Sequence, residues 1–128
     1  MHDERIAVIL VDHGSRFAEA NAMLLDVVKL VQDLSGHSRV YLAHMELAEP
    51  NIQQAFERAV NEGATAVVVH PYFLSPGRHS TTDIPRMVEE AAKNFPGVDH
   101  CVTAPLGIHR KIGEVVLERC GMRRAGSA

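Results

Sequence analysis

Four short apolar runs, each followed by a stretch in which apolar residues return every three or four positions, confine this chain to few folds. The first run, Arg5 to Asp12 (RIAVILVD), is continuous rather than alternating, as expected of a strand covered on both faces. Behind it Phe17, Leu24, Val27, Val28, Val31 and Leu34 recur at helical spacing, and Gly36 is placed to end that helix. Arg39 to Met45 (RVYLAHM) reads as the second strand. Pro50 suits the first turn of the next helix, whose apolar face is Ile52, Ala55, Phe56, Ala59 and Val60, and Gly63 sits where a left-handed cap is needed. Thr65 to Leu74 (TAVVVHPYFL) begins as a third strand and runs into the loop Ser-Pro-Gly-Arg-His-Ser. Thr82 or Asp83 caps a third helix that has Pro85 in its first turn, turns Ile84, Val88, Ala91, Ala92 and Phe95 inward, and stops at Pro96-Gly97. Val98 to Thr103 is a weaker, shorter strand, and Ile108, Ile112, Val115 and Val116 form the last amphipathic face.

The order βαβαβαβα implies one α/β domain: a four-stranded, mostly parallel sheet with helices on both faces. Right-handed crossovers leave only a few doubly wound arrangements. A chain of 128 residues fits one such domain, expected over 1–122, with a polar, small-residue tail over 123–128 that frays. The two cysteines, Cys101 and Cys120, make no disulfide framework and are expected to be buried, inert thiols of a reduced, cytoplasmic protein. Met-His-Asp-Glu-Arg leads straight into a strand and lacks the features of a signal peptide, and no apolar stretch approaches the roughly 18 residues of a membrane span. A formal charge of −3 with scattered Lys and Arg argues against a nucleic-acid surface.

Doubly wound sheets bind ligands beyond the carboxyl ends of their strands. That rim receives His13-Gly14-Ser15-Arg16 from the first strand and His44-Met45-Glu46 from the second. The third delivers His70-Pro71 and the loop bearing Arg78 and His79, and the fourth Pro105-Leu106-Gly107 with His109. Five of the chain's eight histidines therefore fall on one edge, and imidazoles with a carboxylate are good ligands for divalent first-row metals. Gly14 lets the backbone beside His13 approach a ligand, and Gly77 does the same beside Arg78 and His79. Ser15, Arg16 and the amides opening the first helix could receive a carboxylate.

Each residue also has a structural reading. His13 could bond a backbone carbonyl, His79 could be solvated, and Glu46 could cap the second helix. His44 fits a satisfied core histidine and His70 a structural one, while His2, His37 and His100 read as surface or strand-edge residues without a role. Arg16 and Arg78 matter only if the site is real.

His13-Gly14-Ser15-Arg16, Glu46-Leu47-Ala48-Glu49-Pro50, and Phe73-Leu74-Ser75-Pro76-Gly77-Arg78-His79 followed by Asp83-Ile84-Pro85 resemble one known family. With Pro105-Leu106-Gly107 they look like the small sirohydrochlorin chelatases of the CbiX type, relatives of the ferrochelatases. The likeness runs from about residue 5 to residue 120, and it is four motifs in order that make it specific.

The resemblance implies a flavodoxin-like fold, half of a two-domain class II chelatase, inserting Co²⁺, Fe²⁺ or Ni²⁺ into sirohydrochlorin for cobalamin, siroheme or related cofactors. No permanently bound cofactor is implied; the metal is a substrate. The family's two metal-binding histidines fall on His13 and His79, and its glutamate on Glu46. Longer members carry two such units in tandem; a single copy of each motif resembles the short form, which pairs as a homodimer around the tetrapyrrole. His44 departs from the aromatic or aliphatic residue expected there, which leaves open an extra ligand or a changed metal preference.

Neutral His13 and His79 would hold the ion on one face of the ring, with a histidine or Glu46 accepting pyrrole protons. Arg16, Arg78 and the helix amino termini would hold substrate carboxylates, and movement of loop 75–82 could bend the ring. Ligation needs unprotonated imidazole, so activity should fall as pH drops through the ordinary histidine range, about 6.5. Two other functions fit the same residues: a metal or tetrapyrrole carrier without turnover, and a phosphoryl-transfer enzyme. Against the second, the order of Arg78-His79 and His13-Gly14 is wrong for an Arg-His-Gly signature.

Overall fold

The computed structural model describes residues 5–126, with only the backbone described at His79 and Ser80. The elements alternate as β1 (Ile6–Asp12), α1 (Ala18–Ser35), β2 (Val40–His44), α2 (Ile52–Asn61), β3 (Ala66–Pro71), α3 (Ile84–Ala92), β4 (Asp99–Val102) and α4 (Arg110–Arg119). All strand pairings are parallel, in the order β2-β1-β3-β4. This is the flavodoxin-like arrangement, with its switch point between β1 and β3.

Right-handed crossovers put α1 on one face and α2 with α3 on the other. The second face carries most of the core: Ile9, Val11, Val67 and Val69 from the sheet meet Phe56, Ile84 and Val88 from the helices, all with 0% exposure. Phe95 stacks on Phe56 at 6.0 Å and extends this layer. Beneath α1 the buried set is only Leu10, Leu24, Val28 and Val40. Gly36 ends α1 at φ 68, its amide donating to Gln32 O at 2.9 Å, as its position in the sequence predicts.

Several expectations need correction. Pro50 stands before α2 rather than in its first turn, because Asn51 is the cap; the Pro50 carbonyl accepts from His44 N at 2.8 Å. Asp83 takes the N-cap position of α3 as expected, but a π-helical turn, His79–Asp83, precedes that helix, so Asp83 is already helical and makes no side-chain cap bond. Of the last amphipathic face, Ile108 lies before the helix in solvent, and α4 buries no residue: Val115 and Val116 are half exposed. Both cysteines are exposed, since β4 is an edge strand and Cys120 ends α4. His37 is buried, not superficial, and its Nε2–H donates to Ile6 O at 2.5 Å.

His100 lies at the sheet edge against Glu89 and the Phe56 ring, with no link to the rim. Within the expected tail, Arg124 donates to Glu114 of α4 at 3.0 Å, while 127–128 and His2 lie outside the described residues. No described helix is long and apolar enough to cross a membrane.

Candidate active site

β1 and β2 stay paired past their formal ends: Met45 N donates to Asp12 O at 2.9 Å and Glu46 N to His13 O at 3.2 Å. This pairing sets His13 beside Glu46, although they are 33 residues apart in sequence. His13 Nε2 and Glu46 Oε1 lie 2.8 Å apart, and the side chains are 43% and 57% exposed, so the pair is at the surface.

Gly14 makes this closeness feasible. Its φ is +94°, and a Cβ there would sit 1.9 Å from Glu46 O. Only glycine lets the two loops pass. Leu47 follows at φ 69, a left-handed turn beyond Glu46 that leaves its side chain half exposed.

Beside the pair is a shallow cleft of about 340 Å³ at the switch point, lined by His13, Gly14, Ser15, Asn21, Tyr72 and Phe73. Asn21 holds the loop from α1: its Oδ1 accepts from Ser15 N at 2.9 Å and its Nδ2 donates to Ser15 O at 2.7 Å. Ser15 Oγ in turn accepts from Phe17 N at 3.0 Å. The amides of Ser15 and Phe17 are thus engaged within the chain, which removes two of the donors expected for a substrate carboxylate. Arg16 is exposed at the mouth of this loop.

The third motif is a separate arm. Gly77 O accepts from both Thr81 N, at 2.9 Å, and Thr81 Oγ1, at 2.7 Å, an α-type turn that leads into the π-helical turn at His79–Asp83. The backbone carries His79 at the start of that turn; its side chain lies outside the described residues. Arg78 is exposed. Gly77 has open space where a Cβ would be, whereas Gly14 meets the Glu46 backbone. Among the described residues no three His, Cys, Asp or Glu side chains converge as a metal cage.

The other rim histidines are engaged elsewhere. His44 is 2% exposed and its Nδ1 lies 2.5 Å from Asp12 Oδ1. His70 Nδ1 lies 2.8 Å from Thr103 Oγ1; burial pushes its pKa down, partly opposed by the Ala104 carbonyl. His109 caps α4, its Nδ1 accepting from Lys111 N at 3.0 Å. Sequence reasoning missed Asp12, Asn21, Tyr72 and Phe73. A charged residue closing the apolar run Ile6–Asp12 was the available signal for the first; the others are brought in by the fold alone.

Comparison with known proteins places this geometry. The CbiX family model matches residues 7–122. The chain belongs to the CbiX family. It is 51% identical over 112 residues to the chloroplastic sirohydrochlorin ferrochelatase of Arabidopsis thaliana, matching 88% of this chain and 50% of that protein. It is 31% identical to the sirohydrochlorin cobaltochelatase of Methanopyrus kandleri, matching 89% of this chain and 94% of that one.

Among solved structures, a putative cobalamin-biosynthesis CbiX protein from Marinobacter aquaeolei superimposes with a TM-score of 0.78 at 28% identity, covering 91% of this chain and 94% of that one. SirB from Bacillus subtilis with Fe³⁺ gives 0.83 at 29% identity, covering 89% of this chain and 45% of that one. The CbiX chain described here therefore spans about half the length of some relatives and nearly all of others.

Proposed function

We propose that this chain inserts a divalent metal into sirohydrochlorin, with iron and cobalt the metals its relatives' names favour and nickel to be tested beside them. The observation that carries the reading is the accessible His13–Glu46 pair at 2.8 Å on the carboxyl edge of a parallel sheet. An imidazole nitrogen and a carboxylate oxygen at this distance share a proton, and a metal entering between them displaces it. The released site then binds the cation with one neutral and one anionic ligand, a set that suits iron, cobalt and nickel alike.

His79 is proposed as the second histidine ligand, carried by the arm that begins at Gly77. Insertion also requires two pyrrole protons to leave the macrocycle; Glu46 is proposed to take one as the metal leaves its oxygen, and a histidine freed of the metal the other. Arg16 and Arg78, exposed on the two loops that flank the cleft, are proposed to hold the peripheral carboxylates, with the Ser15 and Gly77 loops as backbone walls.

The cleft of about 340 Å³ is at the small end for an organic ligand, so a macrocycle lying over His13 projects from it. That, with the uncovered α4, supports a homodimer in which a second copy closes over the substrate. The two exposed free cysteines fit a reducing compartment and support a cytoplasmic location. The domain is proposed to occupy 1–122.

The test is direct. Purified protein mixed with sirohydrochlorin and Co²⁺, Fe²⁺ or Ni²⁺ is followed by absorption, beside His13→Ala, Glu46→Ala and His79→Ala. Insertion faster than background, lost on substituting His13 or His79, is the expected result. Tight binding without acceleration would make the chain a carrier instead.

A further inference from the structure

Directly behind the exposed His13–Glu46 pair lies a second, buried one. Asp12 precedes His13, His44 precedes Glu46 by two residues, and the two are register partners across the β1–β2 ladder. His44 Nδ1 is 2.5 Å from Asp12 Oδ1, with side chains 3% and 19% exposed. A carboxylate only accepts, so Nδ1–H is the donor and the ring's tautomer is fixed. His44 is held on its other side by the strand, its amide donating to Pro50 O at 2.8 Å. Its Cβ lies 3.2 Å from where a Cβ on Gly14 would sit, so the ring also backs the loop that carries His13.

A buried polar pair adds little net stability over an apolar one of the same volume, whereas it fixes geometry closely. The position needs neither charge nor polarity to be filled: Val40 and Leu42, which share its face of the strand, are packed by apolar contact. The pair sits where the ladder ends and the two proposed ligands begin. There, a shift in register or strand separation moves His13 relative to Glu46 directly.

We infer that His44, oriented by Asp12, is a positioning residue that sets the spacing and direction of His13 and Glu46, and is not itself a metal ligand. The inference rests on the proposed role of that pair in holding metal. The ring is enclosed, with its side chain 3% exposed, so an incoming ion meets His13 and Glu46 and not His44. Hydrogen-bonded neighbours that orient metal-bearing side chains typically change affinity by about 10- to 100-fold when lost.

Two amide substitutions separate positioning from packing. His44→Asn keeps an N–H close to where Nδ1 stands; His44→Gln moves it one bond further out, away from Asp12, with similar polarity. Co²⁺ is titrated into the protein alone and read from its visible ligand-field absorption, with thermal midpoints recorded for both variants. His44→Asn is expected to bind within about threefold of wild type with the same band shape. His44→Gln is expected to lose about tenfold or more and to show altered bands. In the insertion assay the KM for metal should rise in His44→Gln by a similar factor, which a smaller folded fraction would not produce.

Equal affinity and bands in the two variants would overturn the inference, as would wild type that binds no Co²⁺. The chelatase reading fails separately, if wild type binds Co²⁺ and does not accelerate insertion.

Discussion

Gly14 shows how much a single missing side chain does here. Its φ of +94° and the 1.9 Å between a notional Cβ and Glu46 O leave no small adjustment, because the obstructing atom is backbone. Gly14→Ala should cost about 1–2 kcal/mol for the left-handed conformation alone, plus whatever separates the two loops. Urea unfolding reads the first effect. Co²⁺ titration should read the second as a loss of at least tenfold, with His13 drawn away from Glu46; retained affinity would show that the contact is dispensable. The sequence marked Gly14 and Gly77 alike as places where the backbone can near a ligand; it did not show the close approach within the chain, Gly14 to Glu46 O. Composition signals that a residue lacks a Cβ; it does not signal what lies opposite.

His70 gives a prediction of a different kind. Burial lowers its folded pKa, so below about 6.5 the unfolded chain takes up a proton that the folded one refuses. Its contribution is therefore fully present above the unfolded pKa and is lost as pH falls from there toward the folded value. Thermal midpoints between pH 8 and 5.5 should fall more steeply for wild type than for His70→Asn, which keeps a polar atom toward Thr103 without an ionisable ring. Parallel curves would remove His70 from the acid response.

At the scale of elements, α2 owes its start to a box that the sequence displayed and Pro50 obscured. Asn51 Oδ1 accepts from Gln54 N, and Gln54 Oε1 from Asn51 N, both at 2.8 Å, while Gln54 Nε2 reaches Glu49 at 2.6 Å. Asn followed three residues later by Gln is a readable helix start, and it outranks the proline's preference for a first turn. Asn51 also bridges to His44 in the extended ladder, so the cap and the strand end are one unit. Asn51→Ala should cost about 1 kcal/mol and lower Tm by about 3–6 °C in a domain of this size. Calorimetry checks it, and an unchanged Tm would mean that packing alone holds the helix start. The elements themselves were legible because apolar periodicity is a backbone-wide signal. The π-helical turn before α3 was not, since its wider pairing takes one extra residue into the coil and no residue type in that loop signals it.

For the whole molecule, the two faces of the sheet are unequally covered, and this bears on how the site works. Along β3, Val67, Val69 and Pro71 are buried toward α2 and α3, while Ala66, Val68 and His70 on the other side are only half covered. Of the helices, α4 buries nothing, and α1 leaves Leu30 and Leu34 in solvent at 55% and 79%. Periodicity in the sequence reports correctly that Val115 and Val116 occupy an apolar face; it carries no information on which chain covers that face. Exposed apolar side chains on two helices suit an interface better than solvent. The proposed second copy would cover them and supply the wall that a shallow cleft lacks.

Replacing Val115 and Val116 together with Asp places two charges on this surface without touching His13, Glu46 or the buried core. Sedimentation should then show wild type as a dimer at micromolar concentration and the variant as a folded monomer. If the substrate lies between copies, the variant should also lose most of its insertion rate while still binding Co²⁺ at the His13–Glu46 pair. Full turnover by a monomeric variant would place the whole reaction within one chain, and a variant that stays dimeric would move the interface elsewhere.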